Sequence, residues 1–426
     1  MVKLEEQKSR TEDKKIEKIP LPKTAYIPLS QHLGKPCLPE VKIGDMVLTG
    51  QKIAGVQAQV YAPIHASISG KVISIQDWPH PVLGRSKAIA VENDGLDRAE
   101  AVVPRPEEEI SRLAPGQIRD IVFAAGIVGM GGASFPTHIK LNPPKPVDTL
   151  LVNGAECEPY LTGDYRLMLE KTKEILQGIE LVAKCLGVKN VFIGIEDNKP
   201  GAIELFQEAT RNTQYAIRVL KSQYPQGGEK QLIRNILKKE VPSGKLPFDV
   251  GVVVHNVATL YAIYEAVYRK KPLYERVVTV TGNCLAGPKN LLARIGTPVK
   301  DLIDFCGPLK EEPAKIIIGG PMMGIAQYTD SVPVIKSTTG VVLLDKKEAL
   351  TQEEEFCIRC GACVRECPAS LLPTLINLAS RRGDWQEARS CGALDCIECG
   401  LCSYACPSNI MLVQSIRRAK QELMKK

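Results

Sequence analysis

Two cysteine runs of identical spacing near the end of this chain constrain it more than any other feature. Cys357, Cys360, Cys363 and Cys367 precede Pro368, and Cys396, Cys399, Cys402 and Cys406 precede Pro407, each cysteine recurring 39 residues later (357 to 396, 367 to 406). Three thiolates at this spacing meet on one [4Fe-4S] cluster only if the chain wraps around it, and in runs of this type the fourth cysteine ligates the other cluster. The expected sets are therefore Cys357, Cys360, Cys363 and Cys406 for one cluster, and Cys396, Cys399, Cys402 and Cys367 for the second. Zinc also accepts four cysteines, but its structural sites usually come as two C-x2-C pairs, a looser pattern than this one. Gly361 and Gly400 stand inside the turns, where a missing side chain lets main-chain amides approach cluster sulfurs. Leu371, Leu372, Leu375, Ile376 and Ala379 keep helical spacing between the runs. Cys391 is read as a thiol at a helix end rather than a ligand.

Cysteine usage also bounds the setting. Of 14 cysteines in 426 residues, nine fall between Cys357 and Cys406, and the N-terminal MVKLEEQKSRTEDKK has no apolar signal region. That distribution speaks against a disulfide framework and for a reducing compartment. A hydrophobic content of 44% suits a multidomain globular chain with real cores. The most apolar window, Val250 to Tyr264, carries His255 and Asn256 and falls short of the roughly 18 apolar residues that a membrane span needs. The net charge of +7 is modest, and no basic patch with interleaved aromatics appears, which excludes nucleic-acid recognition. The basic stretch from Arg417 to Lys426 reads as a solvated helix or a contact for an acidic partner.

Residues 27 to 92 alternate short β-rich runs with the turn pairs Gly44-Asp45, Thr49-Gly50 and Ser69-Gly70, the pattern of a compact all-β module. The strings GDMVLTGQKIA and YAPIHASISGKV resemble the biotinyl and lipoyl carrier fold, a sandwich of two half-repeats. A working carrier has a lysine at the hairpin tip, where this sequence has Val56-Gln57-Ala58-Gln59-Val60. The module is thus expected to pack or dock rather than swing. Cys37 and His65 are read as ordinary buried residues.

From Gln117 the pattern changes to alternating helices and strands. Thr149 to Val152, Val191 to Ile195, Ala216 to Leu220 and Gly251 to Val254 read as buried strands, with helices near 165 to 186, 200 to 211 and 229 to 239. The expectation is a doubly wound, Rossmann-like parallel sheet, in which ligands sit outside the carboxyl ends of the strands. Unusual polar residues cluster there: Asn153, Glu156 and Glu158 after the first strand, Glu196 and Asp197 after the second, Tyr224, Gly227, Gly228 and Glu229 after the third, and Asn256 and Thr259 after the fourth. Before the first strand lies a glycine-rich loop with Gly129, Gly131 and Gly132, followed by Lys140. Its main-chain N–H groups suit a phosphate, and so does the lysine charge. A tight loop packed on the sheet is the structural alternative, because a helix rather than a strand is expected before it.

These segments carry a family resemblance. GMGGASFPTHIKL resembles the flavin loop of the NADH-oxidising flavoprotein subunit of respiratory complex I. NGAECEPYLTGD is similar to that family's acidic nicotinamide segment, GGEKQLI to its Gly-Glu loop, and HNVAT to its Asn-Val-Glu-Thr flavin segment. The resemblance implies that Gly129, Gly131, Gly132 and Lys140 hold the phosphate and ribityl chain of a noncovalent FMN, and that Asn153, Asn256 and Thr259 fix the flavin. Glu156, Glu158 and Glu229 would then line the side where NAD(H) stacks. Three positions depart from the family pattern: Cys157 replaces a glycine, and Gly228 and Ala258 each replace a glutamate. GNCLAGPKN, GTPVKDLID and GGPMMG resemble the soluble-ligand-binding β-grasp module of the same family, read here as structural, with Cys284 and Cys306 as plain buried thiols. With the carrier-like start and the ferredoxin-like end, the order of modules resembles the C subunit of the ion-translocating Rnf electron-transport complexes. That resemblance implies membrane-bound partner subunits, a ferredoxin-type redox partner, NAD(H), and a peripheral place on the cytoplasmic face of the membrane.

The expected architecture is a multidomain α/β chain: a charged tail (1–24), a carrier-like β module (25–95), a linker (96–116), the FMN and NAD(H) domain (117–271), the β-grasp module (272–340), an α-helical two-cluster ferredoxin-like domain (345–412) and a basic tail (413–426). NADH releases two electrons as hydride whereas a [4Fe-4S] centre takes one at a time, so something must convert between them, and a flavin can. No side chain need act as acid or base. The rival readings are a flavin-free iron-sulfur wire and a soluble or microcompartment flavoprotein reductase similar to the cobalamin reductases.

Overall fold

The computed structural model describes residues 2–100, 102–349 and 352–425; Met1 of the expected first tail, Ala101 of the expected linker, Leu350 and Thr351 of the expected ferredoxin-like domain and Lys426 of the expected basic tail lie outside them. In the N-terminal region, Thr24–Pro28, Gly84–Asn93, Gly70–His80 and Met46–Val47 lie side by side in that order, all antiparallel. Leu38–Pro39, Lys52–Gly55 and Ile64–His65 form a second small sheet. Ile27, Ile53, Ile64, Val72 and Ile89 from the two sheets share one core, as alternating apolar residues in half-buried strands must. Cys37 and His65 are both buried.

Residues 2–24 are not a tail. Ile16–Lys18 pairs in parallel with Lys289–Arg294, far along the chain, and Thr11 and Ile19 are buried. The charges that suggest solvation sit around a few apolar and polar anchors that the rest of the molecule covers. The expected linker is folded too. It contains Glu107–Arg112 and the start of Pro115–Ala124, and Ile110 and Leu113 enter the central core.

The central sheet is all parallel, in the order Ala216–Leu220, Asn190–Glu196, Thr149–Gly154, Val252–Asn256. Three of these strands, Asn190–Glu196, Thr149–Gly154 and Val252–Asn256, are apolar and largely buried, as strands covered on both faces are, whereas Ala216–Leu220, expected to be buried, is an edge strand with Arg218 and Val219 exposed. The expected helix over 165 to 186 is two helices, Gly163–Glu170 and Thr172–Leu186, broken at Lys171. The chain winds outward from Thr149–Gly154 through two strands, then returns to its other side. The strand order reverses at Thr149–Gly154 and Val252–Asn256, and in sheets of this kind the ligand crevice lies at the carboxyl ends of the strands there.

A six-stranded mixed sheet follows, in the order Ile16–Lys18, Lys289–Arg294, Glu275–Gly282, Gly340–Leu344, Lys315–Ile318, Ile325–Gln327. Gly340–Leu344 is buried throughout and extends this module past its expected end. In the C-terminal region the short helices Ala362–Arg365 and Leu401–Tyr404 each start after a left-handed glycine, Gly361 and Gly400. Pro373–Arg382 is the expected helix between the cysteine runs, although Leu372 and Leu375 are exposed while Ile376 and Ala379 are buried. Cys391 caps the C-terminal end of Trp385–Ser390. The basic stretch at the end belongs to Leu412–Met424, whose Leu412, Val413, Ile416 and Ala419 are core residues. Its charges are used internally: Arg417 and Lys420 both pair with Glu398. No helix among the described residues is long and apolar enough to cross a membrane.

Candidate functional site

The glycine loop is closed on itself. The N–H of Gly129 donates to Phe135 O at 2.8 Å, and that of Ser134 to Gly129 O at 3.2 Å. It is also pinned from below, because the N–H of Met130 donates to Thr259 Oγ1 at 2.9 Å. Arg276, buried, donates to Met130 O at 3.4 Å and to Lys336 O at 2.5 Å; burial pushes its pKa down to about 10. These anchors leave Gly131, Gly132 and Ala133 exposed at the crevice. A Cβ on Gly131 would lie 3.3 Å from Cβ of Asn256, so the main chain there approaches the strand end as closely as a residue can.

Asn153 and Asn256 are ladder neighbours at the ends of the first and fourth strands. Asn256 caps Val257–Arg269, its Oδ1 accepting from the N–H of Ala258 at 2.9 Å, while its Nδ2 donates to Asp164 Oδ2 at 2.6 Å. Asn153 accepts from the N–H of Ala155 at 3.0 Å and donates to Gly227 O at 2.9 Å. Lys140 donates to Glu229 at 2.7 Å and to Val254 O at 2.7 Å, so its charge is balanced by a carboxylate at the start of Glu229–Leu237. Beside it, His255 is buried with no partner for Nε2, and burial holds its pKa well below the usual range.

The acidic segment is engaged differently from expectation. Glu156 accepts from the N–H groups of Asp164 (2.8 Å) and Tyr165 (3.2 Å), capping the N-terminus of Gly163–Glu170. Glu158 reaches the six-stranded module, accepting from Met322 at 3.2 Å and Met323 at 2.8 Å. Burial raises both carboxyls, that of Glu158 to about 7. Asp164 is raised by burial as well and steadied by Asn256. Cys157 accepts from the N–H of Gly227 at 3.3 Å, and burial pushes its thiol up to about 12.

Gly129, Gly131, Gly132, Lys140, Asn153, Gly227, Glu229 and Asn256 thus surround one crevice or support its rim. Thr259 lies buried beneath the loop and acts on it rather than on the crevice. Tyr224 is also buried, and its hydroxyl donates to Cys399 O at 2.8 Å. It marks a junction between the parallel sheet and the second cysteine run. Sequence reading misses Asp164 and Arg276; Asp164 stands inside the quoted acidic string, whereas nothing local marks Arg276. It also misses Lys8, which donates to three main-chain oxygens of the acidic segment.

Cys367, Cys396, Cys399 and Cys402 line one cavity with Pro368, Leu371, Ile397, Val413 and Ile416. Two of its sulfurs already accept main-chain N–H groups, Cys367 from Leu371 at 3.4 Å and Cys396 from Glu398 at 3.3 Å. Burial and the neighbouring sulfurs push Cys399 to about 11 and Cys402 to about 12, so loading iron there must expel protons. Gly400 touches the six-stranded module: a Cβ on it would lie 2.6 Å from Met322 O. In the first set Cys363 is buried and Cys406 partly so, whereas Cys357 and Cys360 are exposed. Four thiols around an apolar cavity with N–H donors fit a [4Fe-4S] cluster. The strand-end region, with an exposed glycine main chain and neighbouring asparagines, fits a polar ligand with a phosphate.

Four family models match successive parts of the chain. Residues 2–96 match the RnfC barrel sandwich hybrid domain, residues 122–265 the Nuo51 FMN-binding domain, residues 277–326 the SLBB domain and residues 356–410 the 4Fe-4S dicluster domain. The chain is 47% identical over 387 residues to the C subunit of the proton-translocating ferredoxin:NAD(+) oxidoreductase complex of Clostridium ljungdahlii, covering 90% of this chain and 84% of that one. It is 46% identical to the Na(+)-translocating counterpart of Acetobacterium woodii, covering 95% and 91%. It is 45% identical to the C subunit of the ion-translocating oxidoreductase complex of Rhodobacter capsulatus, covering 98% and 82%.

Proposed function

The chain belongs to the family of C subunits of ion-translocating ferredoxin:NAD(+) oxidoreductase complexes, and from that premise we propose how its residues divide the work. The crevice at the reversal of strand order is the FMN site, and the side bordered by Glu229 and by the acidic segment that contains Glu156 and Glu158 is the one that meets NAD(H). A flavin bound there supplies the change between hydride transfer and single-electron transfer. The chain's own part is placement. Gly131 to Ala133 present main-chain donors; Asn153 and Asn256 orient the ring from the strand ends; Lys140 offers a charge that it now shares with Glu229. The eight cysteines hold the two clusters in the crossed sets given above, and burial of the second set excludes water from its thiolates.

The observation that carries this reading is the junction at Tyr224. Its hydroxyl bonds Cys399 O, and Tyr224, Cys399 and Leu401 share one buried apolar patch with Cys157 and Met322 against it. The second set is thereby the one joined to the flavin-site loops, and the first, with Cys357 and Cys360 exposed, is the one open to a redox partner. A Rossmann-like sheet, a carrier-like sandwich and a β-grasp module are the finer fold readings that the strand orders support. Cysteines kept as thiols suit a reducing compartment, which together with NAD(H) supports a peripheral place on the cytoplasmic face. The naming of the relatives as subunits of ion-translocating complexes favours this reading over a soluble reductase.

Anaerobic reconstitution with iron, sulfide and FMN tests it. About eight irons and about one flavin per chain, with NADH-dependent reduction of an artificial one-electron acceptor, are expected. Full iron without flavin binding would refute the crevice assignment.

A further inference from the structure

We propose that Lys8 is a positioning residue for the nucleotide side of this site, holding the acidic segment from beneath; the inference rests on the reading of Glu156 and Glu158 given above. Residues 155–162 connect the first parallel strand to Gly163–Glu170 without regular secondary structure. Main-chain oxygens in such a segment need donors from elsewhere. Lys8 supplies three of them: its Nζ donates to Glu156 O at 2.8 Å, Glu158 O at 2.9 Å and Leu161 O at 2.5 Å. The side chain is buried, and its contacts are main-chain oxygens rather than carboxylates. Converging three carbonyls on one ammonium fixes the peptide planes between them, and with them the directions in which the Glu156 and Glu158 side chains leave the chain.

The arm that carries Lys8 is itself fastened on both sides. Glu6 O accepts from the N–H of Tyr160 at 2.8 Å, and Glu6 Oε2 from Asn198 Nδ2 at 2.8 Å. Val2 and Tyr224 exchange two main-chain bonds at 3.0 and 2.7 Å. The arm therefore spans from the acidic segment to the residue that touches Cys399. The ammonium also opposes the burial that pushes the Glu156 carboxyl up. An N-terminal segment that only decorated the surface would place none of these groups there.

The test uses the anaerobically reconstituted full chain with Lys8→Met and, as a milder change that keeps one donor group, Lys8→Gln. NAD+ binding is followed by titration calorimetry, and NADH oxidation with ferricyanide gives KM and kcat separately. In Lys8→Met, Kd for NAD+ and KM for NADH should rise about tenfold, with kcat within about twofold of wild type and with iron and flavin contents unchanged. Lys8→Gln should fall between the two and decides the matter if the methionine variant does not load. Wild-type NAD+ affinity in the loaded variants overturns the proposal, as does a loss of kcat with KM unchanged. Failure of wild type itself to bind NAD+ would strike the nucleotide reading, and the Lys8 proposal with it.

Discussion

Tyr224 donates its hydroxyl hydrogen to the main-chain oxygen of Cys399 at 2.8 Å. One residue comes from the loop that follows the third parallel strand, the other from the middle of the second cysteine run. The same loop carries Gly227, whose oxygen accepts from Asn153 and whose N–H donates to Cys157. Two covalently distant segments are thus held together by short polar contacts inside an apolar patch.

Tyr224→Phe removes the only hydroxyl in that contact and leaves a buried carbonyl without its donor. Thermal unfolding should show a loss of about 1 to 3 kcal/mol. Stopped-flow measurement should also show slower reduction of iron by NADH, with iron and flavin contents unchanged. Unaltered kinetics would mean that Tyr224 serves packing alone.

Cys396→Ala and Cys360→Ala separate the two cysteine sets. Each should lower the iron content to about half. Low-temperature EPR after NADH addition should find reducible iron in Cys360→Ala and none in Cys396→Ala, because only the second set adjoins the flavin-site loops. The reverse pattern would invert the assignment.

Gly131→Ala places a methyl group about where the main chain meets Asn256, at the 3.3 Å contact noted above. Flavin affinity, measured by fluorescence quenching, should fall while iron content stays at the wild-type level. The stability change should stay below about 1 kcal/mol, because the loop is exposed there.

Glu158 titrates at about 7 instead of its ordinary 4.5 because burial disfavours the carboxylate, while the N–H groups of Met322 and Met323 pull the other way. Folding raises this pKa, so the native state holds the proton more tightly than the unfolded chain. The resulting stability is present below the unfolded value and is lost as pH rises towards about 7. Relative to Glu158→Gln, wild type should lose about 1 to 3 kcal/mol between about pH 5 and about pH 7.5. Parallel pH profiles for the two proteins in thermal unfolding would contradict the raised pKa.

The parts of the site legible in the sequence are those whose chemistry is local. The cysteine spacing contains its own geometry, and Cys367, Cys396, Cys399 and Cys402 line one cavity. The parallel strands stand out as apolar runs, and Asn153 and Asn256 follow as residues at their ends. Lys8 is invisible because it acts across 148 residues of chain; a single lysine among other charges has no periodicity to read. Arg276 is hidden for the same reason. The directions of Glu156 and Glu158 depend on which N–H groups are free nearby, a tertiary matter. Charge alone misleads at both termini: Leu412, Val413, Ile416 and Ala419 keep helical spacing beneath the basic residues, and Ile16–Lys18 is an edge strand whose partner lies far along the chain.

An anaerobic NADH titration of the chain loaded with FMN, iron and sulfide tests the central claim most directly, read by absorbance at the flavin and iron-sulfur bands. Bleaching of the flavin together with a fall in the iron-sulfur absorbance is the predicted result. Full iron with no flavin retained and no response to NADH would contradict it, and would reduce the parallel-sheet domain to a scaffold for the clusters.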